Sequence, residues 1–113
     1  LRAIHADLEK AAAASDIDGF FEANQAFHLA LQEIADNRWL LHVIEDLRKV
    51  IKLSRHHSLF SEGRLEQSLA EHRDILQALL DRDGARAETL MRTHILSGRA
   101  ALARIAEAKT QAA

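Results

Sequence analysis

Apolar residues recur along this chain at intervals of three and four, the period of a helix that buries one stripe. The clearest pair of stripes lies between Arg64 and Arg104. Leu65, Leu69, His72, Leu76 and Leu79 form the first, spaced 4-3-4-3, and Ala87, Met91, His94, Gly98, Leu102 and Ile105 form the second. A reversal at Asp83-Gly84 folds the two into a hairpin. His72 and His94 then each stand 11 residues from Asp83. At ~1.5 Å of rise per residue the two imidazoles come out level, about 16 Å from the turn and inside the core.

A third helix is predicted from Ile17 to Ala35 by Ile17, Phe20, Phe21, Phe27, Leu31 and Ile34. Asn24 and His28 lie near its stripe at i, i+4, so an amide oxygen and a ring nitrogen can reach one point. Before it, Leu1 to Ala14 reads as a helix with Leu1, Ile4 and Leu8 inward and His5 beside the stripe, partly exposed. Ser15 and Asp18 resemble a capping box for the helix that follows. Asp36-Asn37 suits a helix end or a fresh N-cap. From Asn37 to about Leu59 a long helix is expected to turn Leu40, Val43, Ile44, Leu47, Val50 and Ile51 to the bundle. Arg48 and Arg55, seven apart, share one of its faces; they either snorkel to the surface or hold an anion bidentately. His42, His56 and His57 lie off that stripe and read as surface residues. Ser58 to Gly63 is the loop into the hairpin, and the alanine-rich end, Ala106 to Ala113, is expected to fray.

Composition supports an all-α reading. The 113 residues include no proline and four glycines, and alanine and leucine abound. Length suits one compact domain. Fifteen Lys and Arg against 17 Asp and Glu leave a net charge of −2. With no helix showing a basic face, nucleic-acid binding by this chain alone is not expected. The absence of cysteine excludes disulfides and thiolate metal sites. No apolar run approaches the roughly 18 residues of a membrane span and no signal peptide opens the chain, so a soluble, cytoplasmic protein is expected. It starts at Leu1, already in helical register, and reads as a piece of something longer.

Three imidazoles and an amide oxygen directed inward need a chemical reason, because buried polar groups without partners cost free energy. Neutral imidazole is the commonest metal ligand, and this donor set suits zinc, nickel, cobalt or iron(II). The plainer account satisfies each histidine with a backbone carbonyl or a carboxylate such as Glu71. A catalytic metal is the weaker reading. No carboxylate pair, nucleophile or phosphate-binding loop accompanies the histidines, and Glu71 points about 100° away from His72 on its helix.

These residues resemble a known family. Asn24-Gln-Ala-Phe27-His28, Asn37 with Leu40, Arg48 and Arg55, Glu71-His72 with Ile75, Leu76, Ala78 and Leu79, then Asp83, Ala87 and His94 look like the FCD domain. That is the C-terminal effector-binding domain of the FadR subfamily of GntR-type bacterial transcription regulators, and the likeness runs from Leu1 to about Ile105. The resemblance implies an antiparallel bundle of about five helices, a central divalent metal (zinc first, nickel second) on Asn24, His28, His72 and His94, and a small carboxylate effector gripped by Arg48 and Arg55. It also implies a homodimer that meets DNA through a winged helix-turn-helix outside this chain. The domain's first helix is expected before Leu1. Asn24 stands where many members carry Asp, which implies weaker metal binding. Two other readings remain open: a small metal-dependent hydrolase or lyase, and a metal-free helical interaction module.

Overall fold

The computed structural model describes residues 1–59 and 63–112, with the side chains of 49–58 and 108–112 outside the described set. Five helices follow in order: α1 (Arg2–Ala13), α2 (Ile17–Ala35), α3 (Arg38–Ser58), α4 (Arg64–Leu80) and α5 (Gly84–Ala112). No strand occurs among the described residues. The helices close a ring in which α1 packs on α2 and α4, α2 on α3, α3 on α5, and α5 back on α4.

Local chemistry sets the helix ends. Asp16, not Ser15, caps α2: its Oδ1 accepts from the Gly19 N–H at 2.9 Å. The expected capping box at Ser15 and Asp18 is therefore displaced by one residue, because Ser15 is spent on the turn with φ 53°. Between α2 and α3 the work is divided. Asp36 ends α2 in the left-handed region, and Asn37 Oδ1 accepts from the Leu40 N–H at 3.1 Å to start α3. At the hairpin, Asp83 Oδ1 accepts from the Arg86 N–H at 3.0 Å. Gly63, with φ 77°, takes the left-handed position before α4 that a side chain would resist.

The core lies where α1, α2, α4 and α5 face each other. Leu8, Phe20, Phe27, Ile75 and His72 are its largest fully buried side chains. Of the hairpin stripes, Leu65, Leu69, His72, Ala87 and His94 are buried, while Leu76, Leu79, Met91, Gly98, Leu102 and Ile105 are half-buried. Three expectations fail. His5, expected partly exposed, is buried at 8%, because α4 covers that face of α1 and Glu9 takes its Nε2 at 3.1 Å. The α3 stripe is largely uncovered: Leu40, Val43 and Leu47 are 52, 55 and 58% exposed. In the ring, α3 rests on α2 and α5, and among the described residues these positions on its other side stay open. Ile34, at the end of α2, is likewise exposed. Val50, Ile51, Arg55, His56, His57 and most of the expected fraying end lie outside the described side chains.

Candidate metal centre

Three helices bring three histidines to one point. His28 of α2, His72 of α4 and His94 of α5 are all buried, and each offers a ring nitrogen within 4.8 Å of the others. The rings of His28 and His94 lie nearly parallel, 5.3 Å apart. His72 stands edge-on to both, at 5.2 and 4.6 Å between centroids. Phe27, one residue before His28, packs edge-on against His72 at 4.6 Å and forms the apolar floor.

The electrostatics separate the histidines. His94 Nδ1 lies 2.9 Å from Glu71 Oε1, while its Nε2 lies 3.3 Å from His28 Nε2. In the neutral tautomer the Nδ1–H donates to Glu71 and Nε2 keeps its lone pair for the cluster. Glu71 in turn accepts from Arg64 Nη1 at 3.1 Å, and Arg64 is only 6% exposed. Burial, the largest influence on Glu71, would raise its carboxyl, but hydrogen bonds from His94, Ser97 and Arg64 and the charge of His94 together hold it below the ordinary value. His72 is wholly buried, and neither ring nitrogen has a hydrogen-bond partner among the described residues. Burial first, then repulsion from His94, His5 and Arg64, pushes its imidazole down to about 3. The side chain is thus a neutral base facing its neighbours.

The residues fit a metal. An imidazole with two orphaned nitrogens in a closed core is costly unless something accepts a lone pair, and Asn24 Oδ1 is a second buried acceptor without a donor among the described residues. Two imidazole nitrogens bound to one zinc at ~2.0–2.1 Å in a tetrahedron stand about 3.3 Å apart, which is the His28–His94 separation. His28, His72 and His94 would hold the ion, with Asn24 as the oxygen donor.

The arginines divide. Arg48, half-buried on α3, donates to Gln25 Oε1 at 2.8 Å. With His28, Leu31, Gln32, Met91 and Ile95 it lines a cleft of about 380 Å³ between α2, α3 and α5. Arg55 lies outside the described side chains. Sequence reasoning missed Arg64 as a buried cation; it named Glu71 as a carboxylate that could satisfy a histidine and set it aside only as a general base, because it turns away from His72. The signal was present in the hairpin count, since Glu71 stands 12 residues before Asp83 and His94 stands 11 after it. Counted from the turn, Glu71 is level with the histidine on the opposite helix.

Comparison with known proteins agrees with this architecture. The model of the FCD domain matches residues 1–97. The HTH-type transcriptional repressor RspR of Escherichia coli is 35% identical over 79 residues, and an uncharacterized HTH-type transcriptional regulator YdfH of Shigella flexneri matches to the same extent. Each match takes in 70% of this chain but 35% of the relative, so the chain corresponds to about a third of the length of these curated proteins. No solved structure is a significant match. Among the described residues no helix is long and apolar enough to cross a membrane. With the family's model covering all five helices' common core, from α1 into α5, the chain belongs to the FCD domain family.

Proposed function

We propose that this chain is the sensing domain of a GntR-type transcription regulator, one that holds a divalent metal on His28, His72, His94 and Asn24 and responds to a small carboxylate. The observation that carries this reading is the buried histidine cluster, in which His72 offers two unpartnered nitrogens to its neighbours. The bound ion would supply a Lewis-acid pole for a carboxylate oxygen. The chain's own residues do the rest. Glu71 orients His94, burial keeps His72 neutral, and Arg48 stands at the mouth of the cleft that reaches His28. An effector in this cleft touches α2, α3 and α5 together and favours whichever arrangement of those helices fits it. Contact with DNA belongs to a helix-turn-helix segment outside this chain, and the expected homodimer would bring two such segments to one operator. The helical-enzyme reading gains no support, since the family and the relatives are regulatory.

Elemental analysis of the untagged chain tests the reading. About one equivalent of zinc or nickel is expected, and none in a His72→Ala, His94→Ala double variant. A chain that stays metal-free after incubation with excess zinc, with its helical spectrum intact, refutes it.

A further inference from the structure

Among the described residues, the five most exposed large apolar side chains are Ile34, Trp39, Leu40, Val43 and Leu47, at 67, 77, 52, 55 and 58%. Four of them belong to one face of α3. At roughly 3.6 residues per turn, Trp39, Leu40, Val43 and Leu47 fall within about 100° of arc. Ile44, Glu45 and Arg48 take the other side of the helix, where they line the clefts against α2 and α5. Ile34 lies just across the α2–α3 turn from Trp39.

The four side chains of α3 leave open roughly 500 Å², near the largest apolar patch of an ordinary monomer. Two copies meeting there, with their flanking residues, would cover about 1,200 Å², the lower end of stable interfaces. The face is also self-complementary. Trp39, Val43 and Leu47 form one i, i+4 row, and two such rows interdigitate in the commonest mode of helix packing. Val43 stands in the middle of the row, so a two-fold axis beside it sets Val43 on its own copy and Trp39 of each chain on Leu47 of the other. Along one border the exposed His42 and Asp46 stand four residues apart, and the reversal lays each imidazole toward the other copy's carboxylate. From Trp39 to Leu47 the chain carries no lysine or arginine, so neither nucleic acid nor an anionic membrane suits this face.

We infer that this face of α3 is a self-association surface, on which two copies of the chain pair as antiparallel α3 helices about a two-fold axis at Val43. The homodimer expected of the whole regulator is thereby given a surface. That pairing is all the inference shares with the proposed function; metal and carboxylate play no part in it, so its failure leaves their reading standing. Leu47 also lines the cleft that reaches His28, so the cleft of each copy borders the seam.

The chain has a single tryptophan and no cysteine, which gives two specific readouts. As the 113-residue chain is concentrated from micromolar toward millimolar, Trp39 emission should shift to the blue while the mass from light scattering rises from one chain toward two. Val43→Lys, with its helical spectrum intact, should lose both changes. Val43→Cys should by itself form a disulfide-linked pair on mild oxidation, because a residue at the axis meets its own copy within disulfide reach. Trp39→Cys and Leu47→Cys should link to each other when mixed and only slowly to themselves. Asp74→Cys, exposed on α4, should stay single. A chain monomeric at every concentration, or a dimer that Val43→Lys leaves intact, overturns the inference. So does self-linking of Leu47→Cys as fast as that of Val43→Cys, the mark of a parallel pair. A monomer whose Trp39 emission shifts instead on uncharged phosphatidylcholine vesicles assigns the face to lipid and overturns it as well.

Discussion

Glu71 Oε1 lies 2.9 Å from His94 Nδ1, on the side of the imidazole opposite the nitrogen that faces His28. A carboxylate in that place fixes which nitrogen carries the proton and makes the other a better donor. Arg64 holds Glu71 from behind at 3.1 Å. The three side chains make a chain of charge-assisted hydrogen bonds from α4 to α5, ending at the cluster.

Glu71→Gln keeps the shape of this link and removes its charge. Zinc affinity should fall about 10–100-fold, while the far-ultraviolet spectrum stays as in the wild type. A competition titration with a chelator measures it. An unchanged affinity would mean that His94 is oriented by packing alone.

The α2 start offers a sharper test of local sequence rules. Asp16→Ala removes the side chain that accepts from Gly19 and should lower stability by about 1 kcal/mol. Ser15→Ala, whose residue sits in the turn, should leave it nearly unchanged. Gly19→Ala should behave like the loss of the cap, because a Cβ there would come within 2.3 Å of Asp16 Oδ2 and push the capping carboxylate away. Urea unfolding of the three variants ranks them.

These cases show what could be read before the structure. The hairpin was legible because the stripes of α4 and α5 are strictly periodic and Asp83 divides them evenly, so the level of His72 and His94 followed from counting. The i, i+4 pair Asn24 and His28 was legible for the same reason. Periodicity alone cannot say whether an apolar stripe has a partner, and that is why α3 was misread. Leu40, Val43 and Leu47 have the spacing of a buried face and are all more than half exposed. The buried state of Arg64 was invisible because its partners Gln67 and Glu71, at i+3 and i+7 on its own helix, are spaced as they would be for an exposed arginine, and only the packing of α5 on α4 distinguishes the two.

The exposure of α3 has a measurable consequence. Val43→Lys and Leu47→Lys fall at positions 55 and 58% exposed and remove little buried surface from the folded chain, so each should change its stability by no more than about 0.5 kcal/mol. Leu69→Lys, at a 7% exposed position on α4, should unfold it. Thermal melts of the three variants at one low protein concentration make the comparison.

His72 gives the last prediction, because its environment serves binding at the expense of stability. With both nitrogens unpartnered among the described residues, the side chain costs the metal-free protein the desolvation of an unsatisfied polar group, roughly 1–3 kcal/mol. His72→Leu, of similar volume, should therefore make the metal-free chain more stable and abolish the stabilisation that zinc gives the wild type. The pH dependence has a definite sign. The imidazole titrates at about 3 in the folded chain against 6.5 ordinarily, so between those values the unfolded chain binds a proton that the folded chain refuses. Metal-free stability should then fall on acidification from pH 6.5, with a limiting slope of about 1.4 kcal/mol per unit. Above that pH this group contributes no slope. Glu71 adds to the loss at the acid end: its folded value is lowered below 4.5, so the stability it lends is present above the unfolded value and disappears as the carboxylate is protonated. Urea midpoints at pH 7.5, 6 and 5 should show the decline in the wild type and a shallower one in His72→Leu. Equal slopes in the two would mean that His72 takes up its proton in the folded protein as readily as in water.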